Sequence, residues 1–263
     1  MASILDGIFA RRVSVRIYGL AAVVLGLVGL AWGDFAVLWD PDPNGVPGRN
    51  ALAYAVAVAP LLAGLAMQWQ RAAGRGALVL TALYSLGVML LQVPRLIAHP
   101  SVFADWYAVA EPLPLVAGGL IAYTYCAQLE PTTAKRLFQI GRLIFGACLM
   151  VFGLAHFVYL AYTAKLVPAW LPPGQTFWVY ATAAGHFAAG IAMLSGIYTR
   201  TAAMLLAAMF VVFGILVHAP TLFIAPHTHF NWAENAINFA LIGSAWVVAA
   251  GPRTSRLRPA GQR

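Results

Sequence analysis

Apolar residues gather along the chain into eight runs, at 17–38, 51–69, 76–93, 106–125, 143–162, 177–196, 202–219 and 232–250. Each is long enough to cross a hydrocarbon core of about 30 Å as a helix. The runs are continuous rather than alternating, so the pattern is that of helices that satisfy their own backbone hydrogen bonds, not of a membrane barrel. The predicted fold is therefore all-α, with eight transmembrane helices.

The runs also compare with one another. PLLAGLAM at 60–67 lies over HFAAGIAM at 186–193, an offset of 126 residues from Met67 to Met193. At the same offset Val46-Pro47-Gly48 falls on Pro172-Pro173-Gly174, Val93-Pro94-Arg95-Leu96 on Ala219-Pro220-Thr221-Leu222, and Asp105-Trp106 on Asn231-Trp232. Gly29-Leu30-Ala31 meets Gly153-Leu154-Ala155 at an offset of 124, a two-residue difference in the loop that follows. One register held through several runs predicts a tandem repeat of four helices. An even number of crossings per unit gives the two units the same orientation, related about the membrane normal. The predicted organisation is a cytoplasmic segment 1–16, a degenerate first unit 17–125, a cytoplasmic linker 126–142, a second unit 143–250 and a basic tail 251–263.

Composition agrees: 62% of the 263 residues are hydrophobic and 9% charged, too few charges to cover a water-soluble globule of this size. The net charge of +8 is not a nucleic-acid footprint; its information lies in where the basic residues fall. With the N-terminus inside, thirteen of the sixteen Lys and Arg residues lie on the cytoplasmic side, and only Arg49, Arg95 and Lys165 lie outside. Trp32, Trp39, Trp106, Trp170 and Trp232 fall near the outer interface, as an aromatic belt does. Arg11, Arg12 and Arg16 before the first run imitate a signal peptide, but the run is too long and has no convincing cleavage site. Both termini are thus expected in the cytoplasm, with the chain in a bacterial inner membrane. Cys126 and Cys148 follow no ligand spacing and read as buried thiols.

The second half has a proline-rich outer loop, Leu166-Val167-Pro168-Ala169-Trp170-Leu171-Pro172, after Gly153-Leu154-Ala155-His156-Phe157. A glycine-rich helix over 185–200, a short Thr-Arg turn and a helix ending near Pro220 follow. In this it resembles the DoxX family of small four-helix membrane proteins, and the first half looks like a degenerate copy. The resemblance implies a membrane redox role, since such proteins are similar to subunits of quinone-linked oxidoreductases. It departs from the family at His186, where an acidic residue is common.

Polar groups within apolar runs are costly, so their placement is informative. All six histidines, His99, His156, His186, His218, His227 and His229, lie towards the predicted outer side, five of them in the second unit. At about 1.5 Å per residue, His156 and His186 lie roughly 9 and 13 Å below that surface. Asn231, Glu234, Asn235 and Asn238 share one face at helical spacing, as do His156, Tyr159 and Thr163, and Thr182, His186 and Gly190 occupy successive turns. Together they predict an outward-opening pocket within the second unit, built from His156, Tyr159, His186, His218, Glu234, Asn235 and Asn238. The counterparts of His186, His218 and Glu234 are Pro60, Gln92 and Ala108, so the first unit is read as scaffold. Arg95 is expected to pair with Glu111, and Asp40, Asp42 and Arg49 to be solvated in a Pro/Gly-rich loop.

Such groups also serve simply as hydrogen bonds between helices. Beyond that role, the pocket suits a quinone head group, with imidazole and carboxylate exchanging protons with its oxygens. A haem or metal ion held by these histidines is a second reading, with His227 and His229 pointing the same way in an extended loop. A small-molecule transporter or a non-catalytic anchor is a third. Having no soluble catalytic motif, the chain is expected to work in the bilayer as the membrane subunit of an oxidoreductase system, with a partner redox protein; whether it is itself an enzyme the residues leave open.

Overall fold

In the computed structural model, residues 2–35 and 48–251 are described, and among them there is no strand. Trp39, Asp40, Asp42, Val46, Pro47, the end of the first apolar run and the tail beyond Gly251 lie outside the described residues. The long α1 (Ala2–Trp32) is followed by α2 (Arg49–Ala66) and α3 (Gln70–Gly87). A π-helical turn, Val88–Gln92, carries α3 into the short α4 (Val93–Ala98), after which come α5 (Phe103–Ala110) and α6 (Leu113–Cys126). The second half runs α7 (Pro131–Val158), α8 (Leu160–Leu166), α9 (Gln175–Ser195) and α10 (Thr199–Phe213). A π-helical turn at Gly214–His218 then leads into α11 (Ala219–Ile224) and α12 (His229–Ala249).

Six helical stretches are long and apolar enough to cross a membrane: Gly7–Trp32, Arg49–Ala66, Gln70–Ala98, Pro131–Val158, Gln175–Ser195 and Thr199–Ile224. The other two predicted spans take a different form. The fourth is broken between α5 and α6, where Pro112 has no N–H to continue the ladder and its ring disfavours the helical geometry behind it. The eighth is the 21-residue α12, whose hydropathy is lowered by Asn231, Glu234, Asn235 and Asn238. At the basic end the helices outrun the apolar stretches: α1 begins at Ala2 and α7 at Pro131, so most of the predicted linker 126–142 is helix. Lys and Arg are good helix formers, and nothing in these segments interrupts the ladder.

The helices pack in a pattern that repeats. In the first half α1 packs on α2, α2 on α3 and α3 on α6; in the second, α7 packs on α9, α9 on α10 and α10 on α12. The halves join crosswise, with α1 against α12, α7 against α5 and α6, and α6 against α12 at the centre. Close approach needs residues without side chains. A Cβ on Gly26 would stand 2.6 Å from Ala57 O, and one on Gly190 3.0 Å from Gly146 O. At the centre the buried Tyr18 hydroxyl donates to Leu115 O at 2.6 Å, and Tyr125 donates to Val247 O at 3.0 Å. These bonds tie α1 to α6 and α6 to α12.

The correspondence at 126 residues extends into the backbone. The two π turns and the short helices that follow them stand in the same register, and each turn is followed by a proline, Pro94 or Pro220, one residue into the next helix. Proline cannot donate to the carbonyl four residues back and crowds it, which favours the wider turn immediately upstream. Trp106 Nε1 donates to Pro100 O at 2.9 Å, and Trp232 Nε1 to Pro226 O at 2.8 Å. Asp105 binds the Arg95 guanidinium at 3.1 Å, while Asn231 donates to Thr221 O at 3.2 Å.

Candidate functional site

His156 sits in the last turn of α7 and His186 in the middle of α9, and the close α7–α9 packing brings their ring centroids to 5.1 Å. Each ring is fixed by its own helix. His156 Nδ1 lies 2.7 Å from Phe152 O and His186 Nδ1 3.0 Å from Thr182 O, both four residues back. A carbonyl oxygen only accepts, so Nδ1 carries the proton in both rings and the neutral rings present Nε2 as a lone pair. His186 is 2% exposed and packed among Phe152, Phe210 and Phe213, with centroids 5.8, 5.9 and 6.4 Å away.

Both histidines line a cavity of about 720 Å³, together with Tyr159, His218, Glu234 and Asn238. Asn238 donates to Phe210 O at 3.1 Å, joining α12 to α10 just before the π turn. No hydrogen bond among the described residues holds the Glu234 carboxylate. Asn235 is the one residue of the predicted set that does not line the cavity: its amide donates to His218 O at 2.9 Å and Asn231 O at 2.8 Å, a backbone tie rather than a wall. Gly190 likewise faces α7, where it lets the two helices approach, instead of the cavity.

The walls are not confined to the second half, as the sequence predicted. Gln92 on the first π turn, Arg95 on α4, Tyr107 and Ala108 on α5, and Glu111 at the α5–α6 break all line the same space. Gln92 and Ala108, read as the counterparts that had lost a site, are part of it. They arrive there because α5 crosses to α7, with Phe103 against Tyr159 and Tyr107 against Phe152, both at 5.8 Å. Tyr107 donates to Glu111 Oε1 at 3.3 Å, and Glu111 and Glu234 line the same cavity. In the sequence Glu111-Pro112 lies inside one apolar run that reads as a single span; the break there, and the place it takes on the cavity, appear only in the packed structure.

Two expectations about charged side chains are corrected. Arg95 pairs with Asp105 at 3.1 Å rather than with Glu111, because α4 and α5 are joined by a short loop that sets these two side by side; His99 is 3.5 Å from the same carboxylate. Arg49 is not simply solvated, since it pairs with Asp34 at 2.8 Å and lies over the Phe35 ring. His227 and His229 have different surroundings. His227 is exposed, while His229 opens α12 and stacks on Trp32 with centroids 5.7 Å apart. His227 lies in a turn and His229 already in α12, so only Thr228 between them keeps the extended geometry the expectation required. Among the described residues no group of three or more His, Cys, Asp or Glu side chains is placed to hold a metal ion. Cys148 is buried and Cys126 half-buried, both as free thiols.

The corresponding region of the first half is closed. Pro60 stands in place of His186 there, Tyr84 in place of Phe210, and the space they line with Leu25, Ala53 and Leu115 is only about 30 Å³.

A helical chain with six apolar, membrane-length helices among its described residues is an integral membrane protein. Residues 137–219, within the second half of the chain, match the DoxX family model. The match runs from α7 to the start of α11; α12, with Glu234 and Asn238, and the first-half walls of the cavity lie outside it. No curated protein and no solved structure matches the chain.

Proposed function

We propose that the chain is an eight-span, two-repeat membrane protein whose cavity binds a quinone, and that it serves as the membrane subunit of an oxidoreductase system. The observation that carries this reading is the grouping of two imidazoles and two carboxylates, His156, His186, Glu111 and Glu234, on one aromatic-walled cavity of about 720 Å³. A quinone ring is flat and apolar with two oxygens, so it needs aromatic or aliphatic walls and a hydrogen-bonding or proton-accepting group for each oxygen. Phe152, Phe210, Phe213, Tyr107 and Tyr159 supply the walls.

Oxidation of a quinol releases two protons with its two electrons. The Nε2 lone pairs of His156 and His186 and the carboxylates of Glu111 and Glu234 are the bases available to take those protons. Arg95, 61% exposed and aligned by Asp105, stands at the rim. The two electrons must pass to an acceptor, and in this reading the acceptor is a redox partner protein. The eight-span reading is supported by the equivalent packing of α5–α6 and α12, and the repeat by the matching π turns and Trp-to-Pro bonds. The basic ends of α1 and α7 favour the cytoplasm, and the cavity the opposite face.

The test is to extract detergent-purified protein after incubation with a short-tailed benzoquinone and quantify what it retains. Near-stoichiometric retention is expected, falling at least about ten-fold in His156→Ala/His186→Ala, as loss of hydrogen bonds to the bound oxygens implies. A double variant that keeps the full amount, or a folded parent protein that keeps none, overturns the reading.

A further inference from the structure

A second cavity, of about 300 Å³, lies at the opposite end of the molecule, between the first turns of α1, the α2–α3 junction and the end of α6. Arg11, Arg12 and Arg16 all line it, and no carboxylate does among the described residues. None of the three forms an ion pair among the described residues. Arg12 and Arg16 are four residues apart on one helix face, where like charges repel, and Arg11 adds a third cation to the same space.

Two of the three guanidinium groups are held in place. Arg11 lies over the Tyr125 ring, 5.1 Å from its centroid, and its Nε is buried without a hydrogen-bond partner. With the Gln70 amide turned so that its oxygen faces Arg12, that oxygen accepts from Arg12 Nε at 2.9 Å and Nη1 at 3.1 Å. This fixes the plane of the guanidinium and leaves its outer N–H groups free to bind. Gln68, donating to Arg16 O at 3.2 Å and Gly64 O at 3.1 Å, closes the wall between α1 and α2. Ile8, Val15 and Met67 supply an apolar side. At the offset of 126 residues, Leu194, Gly196 and Gly251 stand where Gln68, Gln70 and Tyr125 do, so the second half has no such cradle.

We propose that this cavity binds a phosphoryl anion, presented either by the headgroup of an anionic lipid or as free phosphate. Planar guanidinium groups match phosphate oxygens in pairs, and three of them with no internal counter-charge leave a positive field that such an anion neutralises. The position at the basic ends of the helices, beside an apolar wall, is where a lipid headgroup would reach it.

The experiment measures the thermal midpoint of the detergent-purified full chain while titrating dihexanoyl phosphatidylglycerol, dihexanoyl phosphatidylcholine or inorganic phosphate. A saturable rise with phosphatidylglycerol and none with phosphatidylcholine is expected. An equal rise with inorganic phosphate at the same concentrations assigns the site to the free anion. No saturable rise with either anion, or the same rise with phosphatidylcholine, overturns the proposal. Arg12→Gln/Arg16→Gln, two exposed positions, should weaken the apparent affinity at least about ten-fold. Lys135→Gln/Arg136→Gln, which removes equal charge outside the cavity, should leave it within about two-fold. Equal weakening in both variants also overturns the proposal. Gln70→Leu supplies a second variant, expected to weaken binding by freeing the Arg12 plane. Benzoquinone retention should be unchanged in all of these, which separates this cavity from the other.

Discussion

His156 and His186 each commit Nδ1–H to a carbonyl of their own helix, so their function must be carried by Nε2. Gln can donate a hydrogen bond but is no base near neutral pH, so His186→Gln should hold a quinone ring more weakly while removing proton exchange. We expect its retained benzoquinone to fall between that of the parent protein and that of His186→Ala, measured by extraction. Glu234 has no hydrogen bond among the described residues, and an unpaired carboxylate inside a bundle costs stability. Glu234→Gln is therefore expected to leave the thermal midpoint unchanged or raised and to lower quinone retention. A large fall in the midpoint would show that the carboxylate is structural. Asn238 is the opposite case. It bonds Phe210 O from a buried position, and Asn238→Leu should cost about 1 kcal/mol in stability, read from denaturant unfolding in mixed micelles.

Helices here are shaped by a few prolines and glycines. Pro94 and Pro220 follow the two π turns, which set the faces presented by Gln92 and His218. Replacing Pro220 with Ala restores a donor and allows a regular α-helix through 214–218. A residue lost from the bulge rotates everything beyond it by about 100°. The expected outcome is lower quinone retention with a near-parental thermal midpoint, because His218 leaves the cavity while the core of α10 is untouched. Gly26 tests close packing instead: a Cβ there meets Ala57 O and the Leu61 backbone, so Gly26→Ala should lower stability by about 1–3 kcal/mol. Gly7→Ala, where nothing stands within 4 Å, should not. That these segments are helical was legible in the sequence, since long apolar runs are local. The break at Pro112 and the helical extensions to Ala2 and Pro131 were not, because apolar length says nothing about where a helix ends in water or is interrupted within an apolar run.

In the assembled bundle each half supplies a different part of the cavity, so neither half should suffice. The second half expressed alone lacks Gln92, Arg95, Tyr107 and Glu111, and is expected to lose benzoquinone retention even where it inserts into membranes. Topology can be checked on a background of Cys126→Ser and Cys148→Ala. Ser101→Cys should react with an impermeant maleimide added outside intact cells, and Gln128→Cys only after permeabilisation. The reverse result would invert the proposed orientation. The hydrophobic pattern, the constant offset and the histidine stripes lie within contiguous segments, and from them the helical fold and the family resemblance could be read, as could six residues of the cavity wall out of the seven expected there. Asn235 faced the backbone because a stripe defines a helix face but not the neighbour that face meets. The crossing of α5 onto α7, which adds Tyr107 and Glu111, the pairing of Arg95 with Asp105, and the closure of the first half's space depend on contacts between segments far apart in the chain. Periodicity is a property of one helix, whereas a cavity is a property of several, and the close packing that brings them together is what places two carboxylates and two imidazoles around one space.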